Sequence, residues 1–186
     1  MGTTCAAFLH HAYDSSAGRF HNHMSFDRQW LDSEGSEDCH GRALWALGIG
    51  VGRSQHRGFQ MMAGQLFARA LPALQDFSSP RAWAFGLIGI HEYLRRLSGD
   101  SAVSQTREML RAKLMGLFER HSRPDWCWFE EELSYDNAKM AHALILTGRA
   151  TGCGDVLATG LRALRWLTEL QSSSKGHFRP IGSNGF

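Results

Sequence analysis

Carboxylate and aromatic side chains crowd two stretches of this sequence, and a third adds aromatic, basic and amide groups. The first runs from Phe26-Asp27-Arg28-Gln29-Trp30 through Gly35-Ser36-Glu37-Asp38-Cys39-His40, and the second is Pro124-Asp125-Trp126-Cys127-Trp128-Phe129-Glu130-Glu131. The third is His177-Phe178-Arg179-Pro180-Ile181-Gly182-Ser183-Asn184-Gly185-Phe186. Hydrolysis of a sugar bond needs two carboxyl groups flanking it, one protonated as general acid and one ionised as base or nucleophile, roughly 5 to 9.5 Å apart. Glu37 and Asp38 form one acidic cluster, and Glu130, Glu131, Glu132 and Asp136 form another. Asp38, Glu131 and Asp136 are the catalytic candidates. Trp126, Trp128, Phe129, Phe26 and Trp30 offer flat apolar rings on which a sugar face stacks, and the Trp126-Cys127-Trp128 alternation points to one ring out and one in. A plainer role competes for each. Acids at a helix start complement its dipole by about 0.3 to 1 kcal/mol, and a Trp beneath a loop or within an apolar helix, as with Trp45 and Trp83, is core.

The remaining candidates for ligand contact are Glu37, His40, Arg42, Asn137, Arg179 and Asn184. Arg42 and Lys139 each fall about one turn into a predicted helix, where a guanidinium or ammonium pairs with the nearby acids and keeps them ionised. His142 sits within an apolar helical run and reads as a hydrogen-bonded core histidine. His21-Asn22-His23 has neither a third ligand nor a ββα context, so no metal site is expected there, and no cofactor motif occurs.

Helices of two compositions must position these groups. Residues 41–49, 82–90 and 138–146 are apolar nearly all round, the pattern of helices buried on several sides. Between them run single-stripe segments: Phe59, Met62, Leu66 and Ala70; Leu110, Leu114, Leu117 and Phe118; Leu157, Leu161, Leu164, Leu167 and Leu170. The first set predicts inner helices starting near Ser36, Ser79 and Ser134, and the second an outer layer. Ser79 before Pro80 is an N-cap signal, Asp155 after Gly154 is placed to cap the last helix, and Gly50, Gly52, Gly99, Gly152 and Gly154 punctuate the connections. A short extra helix is expected over residues 4–11, and no strand pattern competes. Plain turns follow the inner helices while long aromatic loops precede them, which places function on the elaborate end.

Composition narrows the partner. The 186 residues, 43% of them hydrophobic, suit one soluble domain, and 20 basic against 18 acidic residues are interspersed, giving a net charge of +2. Without a Lys/Arg block, nucleic acid is not an expected partner. The four cysteines form no CxxC pair, and no basic leader or apolar run of about 18 residues occurs, so a cytoplasmic protein that does not enter the membrane is expected.

Alternating inner and outer helices with acidic loops at one end resemble the (α/α) toroids of the six-hairpin glycosidase and sugar-epimerase superfamily. More closely, Met24-Ser25-Phe26-Asp27-Arg28, the run Gly35 to Gly48 and the run Trp126 to Ala138 resemble bacterial toroid domains found beside, or assigned to, family 4 glycosyltransferases and mannosyltransferases. The resemblance implies a carbohydrate-active domain, glycosidase-like or epimerase-like, with an oligosaccharide cleft at the N-terminal ends of the inner helices and with His40 as a candidate acid or base. The alternative is a noncatalytic module that holds a glycan or a glycosyltransferase. About three hairpins fit into residues 1–186, so the chain reads as the N-terminal half of such a toroid. Its apolar edges would then be covered by the other half or by a second copy, with weak activity on its own.

Overall fold

The structure, a computed structural model, describes residues 2–180; Asn184 lies outside the described residues. Regular structure comprises α1 (Gly2–Ala12), β1 (Tyr13–Asp14), β2 (Arg19–Phe20), α2 (Glu37–Arg53), α3 (Arg57–Ala70), a 3-10 turn (Leu71–Gln75), α4 (Pro80–Leu94), α5 (Ser101–His121), α6 (Ala138–Thr151) and α7 (Gly154–Leu170). The fold is all-α apart from the two-residue hairpin β1–β2, and the expected short N-terminal helix is α1. Backbone proximity sorts the residues into two compact units, one up to Leu110 and one from Arg111 onward. None of the helices among the described residues is long and apolar enough to cross a membrane.

Two helices in backbone contact form the centre of the first unit. Gly41 faces Ala82, Gly48 faces Gly89 and Gly52 faces Glu92, so α2 and α4 advance in the same direction and run parallel. A Cβ on Gly48 would stand 2.1 Å from the carbonyl oxygen of Gly89, and one on Gly52 would stand 2.1 Å from that of Glu92. Gly50 and Gly52, expected to mark a connection, therefore lie inside α2, where the missing side chain of Gly52 admits the backbone of α4 and that of Gly50 admits the Phe59 and Ala63 side chains of α3. Every residue of α4 from Arg81 to Ile90 is buried, as its all-round apolar composition predicts, whereas residues 104–118 of α5 alternate between buried and accessible.

Helix starts in this unit follow the sequence signals. The Ser36 hydroxyl accepts the amide of Cys39 at 3.1 Å, and Ser79 accepts that of Ala82 at 3.4 Å with Pro80 at the first helical position. Glu37 then links the two helices. Its carboxylate accepts the amides of Ser78 at 3.0 Å and Ser79 at 2.6 Å, so the first turn of α2 satisfies orphan donors at the start of α4. Glu37→Ala is expected to lower stability by about 1 to 3 kcal/mol, and Glu37→Gln, which keeps an acceptor, by less. The urea midpoint at constant slope reads the change; an Ala variant with the wild-type midpoint contradicts the clasp.

The outer helices each bury a single stripe, but not of all the residues that their sequences predict. Helix α3 buries Ala63, Leu66, Phe67 and Ala70, leaving Phe59 and Met62 half-buried, and α5 buries Val103, Thr106, Leu110, Leu114 and Phe118.

In the second unit, α6 and α7 form an antiparallel pair. Gly148 of α6 abuts Leu157, and Gly160 of α7 abuts Ala141 and Ile145. Small residues at this seam displace the expected leucine stripe: Val156, Gly160, Ala163 and Leu167 are buried, while Leu157, Leu161, Leu164 and Leu170 flank them half-buried. Helix α6 starts at Ala138 rather than near Ser134, and it is buried on one side only, with Ala138, His142 and Arg149 exposed. His142 is thus a surface residue, contrary to the core role read from its apolar neighbours. Asp155 is the second residue of α7, whose N-cap is Cys153, so it complements the helix dipole instead of capping.

Candidate functional site

In the first unit, a network of backbone donors shapes the loop ahead of α2. Asp32 accepts the amides of Asn22 at 2.6 Å and His23 at 3.0 Å, while the Asn22 side-chain oxygen accepts the amide of Ser36 at 3.3 Å and its hydroxyl at 3.2 Å. Burial alone would push the Asp32 carboxyl up, but the backbone N–H groups it accepts outweigh burial and hold it below the usual range. His21 is tied down as well. Its Nδ1 lies 2.9 Å from the Asp32 carbonyl oxygen and its ring stacks on Trp30 at 4.8 Å. Among the described residues, no three His, Cys, Asp or Glu side chains gather as a metal site.

This loop, α1 and α2 enclose a groove of 430 Å³ lined by Leu9, Asn22, His23, Asp38, Arg42 and Ala46, among others. Four residues apart on α2, Asp38 and Arg42 meet side by side, with Arg42 Nε donating to Asp38 Oδ2 at 2.7 Å. The Arg42 guanidinium also lies 4.4 Å above the Phe85 ring, in a cation–π contact. Cys39 borders the groove, but burial pushes its thiol up and it donates to the His21 carbonyl oxygen at 3.8 Å, so it is a poor nucleophile.

The second unit carries its own acidic residues. Asp136 has φ +48°, a left-handed conformation unusual for a residue with a Cβ, and its carbonyl oxygen accepts the amide of Lys139 at 2.9 Å. Asp136, Asn137, Lys139, Gln171 and Pro180 line a cavity of 280 Å³, and the Asn137 side chain accepts the amide of Ser134 at 3.2 Å. Glu131 is 62% exposed and accepts from His121 Nδ1 at 3.0 Å and Arg123 Nη1 at 3.2 Å. The hydrogen bonds from His121 and then Arg123 hold its carboxyl below the usual range, which suits a permanent anion and not a proton donor. Trp126 is half-buried against Trp166 at 4.9 Å and donates from Nε1 to the Glu130 carbonyl oxygen at 2.6 Å. Arg179 is exposed, its amide donating to the Gln171 carbonyl oxygen at 2.6 Å.

Of the residues nominated from sequence, the structure brings Asp38 and Arg42 together in the first unit, and Asp136 and Asn137 in the second. Glu37 is engaged by Ser78 and Ser79. Two nominations are corrected by burial. His40 is 0% exposed, its ring 5.2 Å from Phe20 and 5.1 Å from Phe77 with Nε2 2.9 Å from the Ala70 carbonyl oxygen, so it is a core residue and not a ligand contact. Trp128 is also 0% exposed, stacked on Trp166 at 5.7 Å and edge-on to Phe129 at 5.3 Å, so it is the inward ring of the Trp126-Cys127-Trp128 pair. Phe129 is buried with it, whereas Phe26 is fully exposed on its loop. Trp83 is buried as expected, but Trp45 is only half-buried, stacked on Phe85 at 5.9 Å.

One cleft escaped the sequence reading. At the C-terminal ends of α2 and α4, at the other end of the helices from Asp38, Val51, Gln55, Arg57, Gln60, Met61, Gln65, Tyr93, Arg96 and Leu97 line 690 Å³. The available signal was Arg57, Gln60, Met61 and Gln65 on the side of α3 away from its apolar stripe, next to a turn that looked plain. Neither a protein-family model nor a curated protein matches the sequence, so side-chain chemistry carries the functional reading.

Proposed function

We propose that the chain is a carbohydrate-binding module of the (α/α) toroid type that holds an oligosaccharide, alone or presented by a glycosyltransferase, without turning it over. The observation that carries this reading is the Asp38–Arg42 pair beside the groove formed by α1, the preceding loop and α2. A carboxylate and a guanidinium joined side by side, with the amide of Asn22 nearby, match the vicinal hydroxyls of a sugar, while Leu9, Ala43 and Ala46 supply an apolar surface for its C–H face. The parallel course of α2 and α4, with α3 in the outer role between them, is compatible with the start of a toroid.

Binding is favoured over hydrolysis because the nominated acids are already engaged. Glu37 caps α4, Asp38 pairs with Arg42, and Glu131 is kept anionic by His121 and Arg123. A general acid instead requires surroundings that keep a proton on the carboxyl group.

Amide NMR titration with manno- and gluco-oligosaccharides tests the proposal. Saturable shifts are expected at Asn22, Cys39 and Arg42, with affinity falling about tenfold in Arg42→Ala and Asp38→Asn and no product formed. Turnover abolished by Asp136→Asn, or the absence of saturable shifts at those amides, overturns it.

A further inference from the structure

The 690 Å³ cleft at the C-terminal ends of α2 and α4 combines charge, amides and a rigid wall in one place. Four guanidinium groups belong to this end: Arg53, Arg57, Arg95 and Arg96. Two of them are spent on one carboxylate. Arg53 donates to Glu92 through Nε at 2.7 Å and Nη2 at 2.5 Å, and Arg95 Nε lies 3.5 Å from the same group. Arg57 and Arg96, which line the cleft, have no ion pair among the described residues. Asp100 is turned to another partner, accepting the Tyr93 hydroxyl at 2.9 Å.

The rest of the lining is neutral and hydrogen-bonding. Gln55, Gln60 and Gln65 reach the cleft from the α2–α3 connection and α3, and the Gln60 amide nitrogen donates to the Ser54 carbonyl oxygen, which leaves its own carbonyl oxygen to accept from a ligand. Tyr93 forms a fixed wall, stacked on Phe67 at 4.6 Å and tethered by Asp100, and Met61 adds an apolar contact. Two unneutralised guanidiniums select an anion, and three amides with an aromatic wall select a polyhydroxylated body over a bare ion.

We propose that this cleft is a binding site for an anionic sugar, its phosphate or carboxylate held by Arg57 and Arg96 and its hydroxyls by Gln55, Gln60 and Gln65. The site is separate from the groove at Asp38 and stands whether or not that groove binds glycan.

Calorimetric titration of the full chain with glucose 6-phosphate, glucuronate, glucose and inorganic phosphate tests the assignment. At least one of the two charged sugars is expected to bind about tenfold or more tighter than both glucose and inorganic phosphate. Which of them binds tells a phosphate site from a carboxylate site. Arg57→Gln and Arg96→Gln, both at exposed positions, are each expected to weaken that binding about tenfold while leaving the melting temperature unchanged, and Asp38→Asn is expected to leave it intact. Glucose binding as tightly as the charged sugars removes the role of the arginines, and inorganic phosphate binding as tightly as glucose 6-phosphate removes the role of the glutamines. The absence of saturable binding of either charged sugar up to about 10 mM overturns the proposal.

Discussion

Gly48→Ala is expected to destabilise the protein by about 2 to 3 kcal/mol, although alanine is the better helix former by about 1 kcal/mol. The added methyl group would stand 2.1 Å from the Gly89 carbonyl oxygen, 2.7 Å from its carbonyl carbon and 2.8 Å from its Cα, all backbone atoms of a buried helix. A side chain in that position can rotate aside, but a helix backbone cannot, so α2 and α4 must separate and lose contact along their shared seam. Gly116→Ala in α5 supplies the control. A Cβ there meets nothing within 4 Å, so the substitution is expected to stabilise by about 0.5 to 1 kcal/mol through helix propensity alone. Denaturant unfolding of the two variants at one pH measures both signs. A Gly48→Ala protein as stable as wild type would mean that α2 and α4 do not meet backbone to backbone.

That seam also explains what the sequence could and could not disclose. Periodicity separated the all-round apolar α4 from the striped α3 and α5, and Ser36 and Ser79 announced their helices, because those signals are local. Gly48 and Gly52 look in the sequence like Gly99 and Gly152, of which Gly152 does end a helix, at φ +69°. Only the neighbour that fills the space distinguishes a glycine of close approach from a glycine that ends a helix. Helix α6 failed for the same reason: its composition matches that of α4, but burial on several sides needs packing partners on several sides, and those are not encoded in its own residues.

The candidate site was legible at the level of residue type. Asp38 and Arg42 were separable from core positions because a four-residue spacing on a helix ensures that they meet. Glu37 carried no sign of reaching Ser78 and Ser79, since that contact joins helix starts 41 and 42 positions apart in sequence. Trp128 turned fully inward, but Trp126 did not turn out as the alternation predicts: it is half-buried, and both rings pack on Trp166, far along the chain. The 690 Å³ cleft lay behind an assumption that elaborate loops mark function, whereas its lining comes from ordinary helix ends.

Acid is expected to weaken the fold through His40 in a defined window. Burial is the main cause pushing its imidazole down from 6.5 to about 4, with the nearby Arg19 charge acting the same way and the Ala70 hydrogen bond opposing. In the native state the neutral ring donates Nε2–H to the Ala70 carbonyl oxygen, and Nδ1, which would take the extra proton, has no hydrogen-bond partner among the described residues. The unfolded chain binds that proton as pH falls below 6.5 and the folded chain does so only near 4, so His40's contribution is complete above pH 6.5 and is lost as pH falls from there to about 4. The loss amounts to about 1.4 kcal/mol per pH unit, or roughly 3 kcal/mol across the window. His91, also pushed down mainly by burial, adds a slope of the same sign, so the wild-type curve alone does not isolate His40. His40→Gln does, because glutamine keeps a donor for the Ala70 carbonyl oxygen and has no proton to gain. The stability of wild type relative to His40→Gln, measured at closely spaced pH values, is expected to fall by roughly 3 kcal/mol as pH falls through the window and to stay constant above it. Curves that stay parallel throughout would place His40 where water reaches it, and the Phe20–His40–Phe77 core would be wrong.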